Sequence, residues 1–171
     1  MNPDDAVIIA LGGNLAGGFD SSEALLEAAL ARFAQAGLPV VRRSHWWRSA
    51  AWPDPNANEY RNGVAIVETD LTPPEVLRTL FSIEAMFGRA RTEANASRTL
   101  DLDLVAHGRT VLRDTALTVP HPRAFERLFV MGPLAEIAPE WVHPVMGATA
   151  AELAAAAPVG RDATPLVRGE D

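Results

Sequence analysis

Residues 98–104 read Arg-Thr-Leu-Asp-Leu-Asp-Leu, and this stretch decides the fold around it. Leucine and aspartate alternate at every second position, which is the period of a β-strand with one apolar and one polar face. Asp101 and Asp103 should therefore lie on one face, about 6–7 Å apart along the strand. The stretch predicts a strand whose leucines face the core and whose carboxylates lie together on the other face.

Other strands are predicted on the N-terminal side of this stretch. Residues 6–11, 38–47 and 64–67 are short runs rich in apolar and β-branched residues. Each run is bounded by turn residues, as is typical of strands. The segment 50–58, rich in proline and asparagine, predicts a loop between two of these strands.

Helices are predicted between and after the strands, from apolar residues at helical spacing. Thr72 and Glu75 form a capping-box pattern, with Pro73 at the first helical position, so a helix should begin there. The remaining helices are expected at residues 22–33, at 129–137 and from Thr149.

The order strand, helix, strand, strand, helix, strand indicates an α+β fold of the ferredoxin-like, split βαβ type. Such a fold has an antiparallel sheet with two helices packed on one face, and here a C-terminal helical addition follows. We expect a single domain over residues 1–157. The tail at 158–171, with its glycine and proline residues, is expected to be disordered.

Composition excludes several classes of chemistry. All 15 basic residues are arginine, so a Schiff-base lysine and a Walker-type phosphate-binding lysine are excluded. There is no cysteine, which excludes disulfides and thiolate nucleophiles. The net charge of −7 argues against binding nucleic acid. No apolar run is long enough to cross a membrane, and we expect a cytoplasmic protein.

The carboxylate pair indicates a divalent-cation site. Two adjacent carboxylates repel each other unless a cation or a proton lies between them, and hard oxygen ligands suit Mg²⁺. The alternative is an edge strand whose solvent face carries two acidic residues by chance.

Arginines precede the carboxylates on a polar segment. Arg89, Arg91 and Arg98 lie upstream of Asp101, and guanidinium groups bind phosphate oxygens in a bidentate manner. Arginines beside a metal-binding pair are what polyphosphate transfer requires. The alternative is that they form surface ion pairs with acidic residues such as Glu84 or Glu93.

Further motifs agree with this interpretation and together carry a resemblance. They are Gly12-Gly13-Asn14 after the first strand, Tyr60 and Asn62, Ile83-Glu84 before Gly88-Arg89, the stretch 98–103, Val119-Pro120-His121 and Arg127. In identity and spacing this array resembles the family of 6-hydroxymethyl-7,8-dihydropterin pyrophosphokinases, over residues 7–144.

The resemblance implies transfer of a pyrophosphoryl group from ATP to a pterin alcohol in folate synthesis, with two Mg²⁺ ions and a monomeric enzyme. It implies that Asp101 and Asp103 bind the metal and that Arg89 and Arg98 assist catalysis. The implied ATP-binding residues are Glu84, Arg91, Leu104, Thr118, His121 and Arg127. The implied pterin-binding residues are Ser49, Trp52, Tyr60, Asn62 and Phe129, with Phe129 stacking on the ring. The loops at 49–59 and 89–98 are expected to close over the substrates.

Two other functions remain as alternatives. The split βαβ arrangement also presents its sheet to RNA in binding modules, but that function requires a basic face with exposed aromatic residues. An inactive relative with a regulatory role is the second alternative. The presence of the matching aspartates and arginines argues against it.

Overall fold

The fold is described from a computed structural model of the chain, which describes residues 2–50, 58–88 and 100–166. The strands are β1 (Val7–Gly13), β2 (Val40–Arg43), β3 (Trp47–Ser49), β4 (Tyr60–Val67), β5 (Asp101–His107), β6 (Leu112–Arg113), β7 (Thr118–Val119) and β8 (Thr164–Pro165). The α-helices are α1 (Ser22–Leu30), α2 (Pro73–Met86), α3 (Leu128–Ile137) and α4 (Ala150–Ala156).

The main sheet has the order β5-β1-β4-β3-β8, and β2 pairs with β4 beside β3. Every strand pair in it is antiparallel. Strand β1 therefore lies between β4 and β5. These are the third and last strands of the split βαβ unit when β2 and β3 are counted as one strand. This order confirms the predicted ferredoxin-like, α+β architecture.

The predicted strand at 38–47 is divided into two short strands, which corrects the sequence prediction. The register of β2 on β4 shifts between Val40 and Arg42. At Ser44 the backbone N–H donates to the Val64 carbonyl, while the Ser44 hydroxyl accepts from the Val64 N–H at 3.0 Å. A side chain thus replaces a ladder partner at this point, and the chain bends before β3 begins.

Helices α1 and α2 cover one face of the sheet. The N-cap of α1 is Ser21, and α2 begins with the predicted capping box of Thr72 and Glu75. Apolar residues of both helices, including Leu26 and Leu80, pack with Leu102 of β5 in one buried cluster. The leucines of the alternating stretch therefore face the core, as predicted.

The C-terminal helical addition covers the opposite face. Helices α3 and α4 bury Met131, Leu134 and Leu153 against Ile8 and Val64 of the sheet. All residues of β1 are consequently buried. A strand covered on both faces has no polar face, which explains the continuous apolar sequence of β1.

The tail was wrongly predicted to be disordered, as far as residues 158–166 are concerned. Strand β8 pairs with β3, and the backbone of Val159 hydrogen-bonds to Glu126 and Leu128 at the start of α3. Ala163 is 5% exposed, and its N–H donates to the Gly160 carbonyl. Backbone pairing of this kind leaves little trace in composition. Residues 167–171 lie outside the described residues.

In the part of the chain that the structure describes, no helix has both the length and the apolar character needed to cross a lipid bilayer.

Candidate active site

The candidate site is built from one row of residues that crosses four strands. Asp101 of β5 pairs with Gly12 of β1, Gly12 pairs with Asn62 of β4, and Asn62 pairs with Trp47 of β3. Directly paired residues of antiparallel strands share a face of the sheet. The carboxylate, the amide and the indole therefore lie on the same face, on either side of a residue without a side chain.

The second row adds the other carboxylate. Asp103 pairs with Ala10, which pairs with Val64. Ala10 and Val64 belong to the buried cluster under α3 and α4. Asp101 and Asp103, in contrast, are partly exposed. The carboxylates lie on the face that the C-terminal helices cover, but at its edge, where a ligand can reach them.

Gly12 is required by the packing of this row. A Cβ added to Gly12 would lie 2.3 Å from Oδ1 of Asn62 and 3.4 Å from the Arg61 carbonyl oxygen. The Asn62 side chain thus occupies the space that a side chain at position 12 would take. The amide is directed along the row toward β1 and Asp101.

A buried carboxylate on the opposite side holds the strand of the aspartates. Glu84 of α2 is 1% exposed, and its Oε2 accepts a hydrogen bond of 2.8 Å from the Leu102 N–H. Leu102 lies between Asp101 and Asp103 on the edge strand β5. This bond satisfies a donor that has no partner among the described strands, and it fixes the backbone from which both aspartates extend. The structure therefore gives Glu84 a positioning role.

His121 lies beside the aspartates as a neutral imidazole. Its backbone N–H donates to the Val105 carbonyl of β5, and its Nδ1 accepts from the Arg123 N–H at 3.2 Å. Burial, together with the nearby Arg127 charge, lowers the pKa of His121 to about 4, although Asp101 opposes this shift. Because Nδ1 is an acceptor, the proton is on Nε2, which can donate to an anionic ligand.

Aromatic residues border the other end of the row. Phe129, at the start of α3, is partly buried, and the Arg127 guanidinium lies 5.8 Å from its ring centroid. Trp47 packs its ring against Gly132 of α3, and its indole N–H donates to Glu136 Oε1 at 3.1 Å. The two rings therefore lie along the same helix, at the β3 side of the site.

Ser49 and Tyr60 form a third row on the same face of the sheet. They are directly paired between β3 and β4, two residues from Trp47 and Asn62 respectively. Ser49 is 5% exposed, and Tyr60 is partly buried. The pairing register thus places three of the predicted pterin residues, Ser49, Tyr60 and Asn62, on the same face of the sheet as both aspartates.

Not all of the predicted site residues lie in this arrangement. Leu104 is 3% exposed in the cluster under α1 and α2, so its side chain is on the wrong face to contact a ligand of the aspartates. Thr118 lies partly buried in β7, three residues before His121. Arg89, Arg91, Arg98 and Trp52, with most of the two loops expected to close, lie outside the described residues.

Sequence reasoning missed Trp47, Glu136 and the space requirement at Gly12. Trp46 and Trp47 are adjacent in the sequence, and nothing local distinguishes Trp47 as a site residue. Its place in the row depends on the pairing of β3 with β4, two strands that residues 50–59 separate in the sequence. No local sequence signal reports that register.

Comparisons with known proteins show which family the chain resembles in sequence. The profile of the family described as 7,8-dihydro-6-hydroxymethylpterin-pyrophosphokinase matches residues 8–139. A protein of Synechocystis sp., named 2-amino-4-hydroxy-6-hydroxymethyldihydropteridine pyrophosphokinase, is 45% identical over 147 residues, covering 85% of this chain and 73% of the relative. A Haemophilus influenzae protein of the same name is 36% identical over 137 residues, covering 80% and 83%.

The fold also matches solved structures. The crystal structure of Plasmodium falciparum HPPK-DHPS with pteroate has a TM-score of 0.67 and 12% identity, and the match covers 88% of this chain. It covers 44% of that longer chain, so this chain spans less than half of it. At such low identity the likeness shows the fold alone. The family profile and the close relatives show more: this chain belongs to the 7,8-dihydro-6-hydroxymethylpterin-pyrophosphokinase family.

Proposed function

We propose that this chain transfers the pyrophosphoryl group of ATP to the hydroxymethyl group of 6-hydroxymethyl-7,8-dihydropterin, releasing AMP, in the synthesis of folate. The observation that carries the proposal is the row in which Asp101 and Asn62 flank Gly12. It supplies a cation-binding carboxylate at one end and a polar amide for a heterocycle at the other. The family membership of the chain supports the same reaction.

The residues of the site fit Mg²⁺. Asp101 and Asp103 are hard oxygen donors on one face, partly exposed, and adjacent along β5. Among the described residues no group of three or more acidic or histidine side chains could hold a metal. We propose that the metal takes its other ligands from substrate phosphates and water. We propose two Mg²⁺ ions, which would neutralise phosphate charge and polarise the transferred group when bound.

The protein's own groups would bind and orient both substrates. Asn62 would hydrogen-bond the pterin edge, Phe129 would stack on the ring, and Ser49 and Tyr60 would line the pocket. His121, neutral above its pKa of about 4, would donate from Nε2 to an ATP phosphate oxygen. Arg127 would add positive charge beside it.

Transfer of the pyrophosphoryl group would depend on the positioning of the two substrates. The hydroxymethyl oxygen attacks the β-phosphorus of ATP, the bond from the β-phosphorus to the α,β-bridging oxygen breaks, and AMP leaves. The hydroxyl proton is released to solvent. A loose transition state requires alignment and charge neutralisation more than a strong base. From the sequence alone, we propose that Arg89, Arg91 and Arg98 contact the phosphates during this step.

The remaining properties are proposed on composition and family. We propose a monomeric cytoplasmic enzyme that does not bind nucleic acid. The net charge of −7 supports the last point, because phosphate backbones are bound chiefly by basic surfaces.

AMP formation tests the proposal. Wild-type protein is incubated with ATP and Mg²⁺, with and without the pterin, beside Asp101→Asn and Asp103→Asn. AMP should form only with pterin, and either variant should lose at least about a hundredfold in rate, since each removes a metal-binding charge. The control is Asp70→Asn, at an exposed aspartate in the loop before α2, which should retain wild-type activity. Release of ADP in place of AMP would refute pyrophosphoryl transfer.

A further inference from the structure

We propose that the C-terminal segment, residues 159–166, is a component of the pterin site that positions the Phe129 ring and the backbone of Ala50, next to Ser49. The inference rests on the proposed function and extends it to a part of the chain that sequence interpretation treated as a disordered tail. The ligand concerned is the flat heteroaromatic ring of the substrate.

The segment is held against two elements that border the site. At its start, the Val159 N–H donates to the Glu126 carbonyl at 3.0 Å, and the Val159 carbonyl accepts from the Leu128 N–H at 2.9 Å. At its end, β8 pairs with β3, and the Leu166 N–H donates to the Trp46 carbonyl at 2.8 Å. The segment therefore joins the first turn of α3 to β3.

Gly160 is in direct contact with Phe129. A Cβ at this glycine would lie 2.6 Å from Cδ1 and 3.1 Å from Cε1 of the ring. The backbone of Gly160 thus packs against the ring edge and leaves no space for it to move in that direction. Gly160 also has a φ of +74°, which other residues rarely adopt. Both requirements favour glycine at this position.

Asp162 fixes the chain at the other side of the pocket. Its Oδ2 accepts a hydrogen bond of 2.7 Å from the N–H of Ala50. Ala50 directly follows Ser49, which pairs with Tyr60 on the site face. A charged acceptor therefore holds the backbone at the point where the chain leaves the sheet beside the pocket.

These contacts are made with the pterin side of the site. Gly160 contacts Phe129, and Asp162 holds Ala50 next to Ser49, so both act on proposed pterin residues, whereas Val159 lies beside Arg127 of the proposed ATP site. Disturbing Gly160 or Asp162 should therefore weaken pterin binding and leave ATP binding nearly unchanged. Gly160 and Asp162 are positioning residues, because they act through Phe129 and through Ala50.

The first test compares two glycines that have the same backbone strain. Gly147 has a φ of +71° and Gly160 a φ of +74°, but a Cβ at Gly147 would meet nothing within 4 Å. Gly160→Ala and Gly147→Ala should be destabilised alike by their backbone conformations. Relative to Gly147→Ala, Gly160→Ala should raise the pterin KM about tenfold, as expected when one aromatic contact is lost, with the ATP KM within about twofold.

The second test uses the hydrogen bond of Asp162 and gives an answer even if Gly160→Ala fails to fold. Asp162→Ala should raise the pterin KM, and Asp162→Asn should restore most of the affinity, because its amide oxygen can accept the same bond. The control is Asp114→Ala, which removes another exposed aspartate that accepts backbone N–H bonds, here from Ala116 and Leu117. It should leave both KM values unchanged.

The outcomes separate this inference from the proposed function. If the wild type forms AMP with pterin but the Gly160 and Asp162 variants match their controls, the inference is wrong and the function stands. A rise in both KM values to the same extent would also refute it. If the wild type neither forms AMP nor binds the pterin in a direct titration, both proposals fail.

Discussion

The side-chain amide of Asn62 lies directly over Gly12, 2.3 Å from the point where a Cβ of residue 12 would be. The two residues are paired across β1 and β4, and Asp101 is the next residue in the row. The orientation of Asn62 therefore depends on the absence of a side chain at position 12, which explains the glycine at the end of a buried strand.

Gly12→Ala should displace the Asn62 amide and raise the pterin KM at least about tenfold, the loss expected for a hydrogen bond to a polar ligand. Steady-state kinetics with each substrate varied would measure it. The control is Gly18→Ala, because a Cβ at Gly18 would meet nothing within 4 Å. Combined with Asn62→Ala, the Gly12 substitution should add little. Fully additive effects would show that Gly12 does not act through Asn62.

Gly132→Ala should destabilise the protein, although alanine favours helices. In an unhindered helix this change would add about 1 kcal/mol of stability. A Cβ at Gly132, however, would lie 2.6 Å from two carbons of the Trp47 ring. Overpacking of this kind costs about 1–3 kcal/mol, so urea denaturation should show a net loss. Increased stability would mean that Trp47 moves freely, contrary to its hydrogen bond with Glu136.

Glu84→Ala should lower the free energy of unfolding by about 1–3 kcal/mol, since it leaves the buried Leu102 N–H without the acceptor that Glu84 provides. Glu84→Gln keeps an acceptor oxygen at the same position and should lose less. Urea denaturation compares the two, with activity measured on the folded fraction. Equal losses for both variants would show that the charge, and not the hydrogen bond to β5, is what matters at this position.

His143 should make stability depend on pH below neutrality. Burial, and to a smaller degree Arg109, lowers the pKa of His143 from its usual value of 6.5, and Nδ1 accepts from the Val145 and Met146 N–H groups. The unfolded state then binds the proton more readily. His143 stabilises the fold fully above pH 6.5, and this contribution falls as the pH is lowered from 6.5 toward the depressed folded-state pKa.

Asparagine provides the matched variant for that prediction. His143→Asn keeps a side-chain acceptor for the same two N–H groups and has no titrating group. Melting temperatures measured between pH 7 and pH 4.5 should fall less steeply for this variant than for the wild type. Parallel curves would show that His143 does not titrate between the folded and unfolded states.

Local patterns predicted the elements that carry the site. The alternation at residues 100–104 predicted β5 with its two carboxylates, and Thr72 with Glu75 predicted the start of α2. These predictions succeed because each depends on neighbouring residues alone. Leu104 was assigned to the ATP site through family resemblance, yet the same alternation directs it into the core.

The features that escaped prediction depend on contacts between distant parts of the chain. Ser44 interrupts a strand because it bonds to Val64, and Asp162 matters because Ala50 lies beside it. Composition suggested that residues after Pro158 lacked structure. Their order comes from backbone pairing with β3, in which side-chain identity has little part.

The row of Asp101, Gly12 and Asn62 fixes the distance between the two strands that carry the carboxylate and the amide. Two interstrand steps of about 4.8 Å each separate the backbones of Asp101 and Asn62, and backbone hydrogen bonds set both steps. Substitutions in the row can remove a group, but they cannot bring the two ends closer together or move them apart. A variant designed to accept a larger alcohol would therefore have to change the residues that border the row, such as Phe129 and Trp47, and leave its strands untouched.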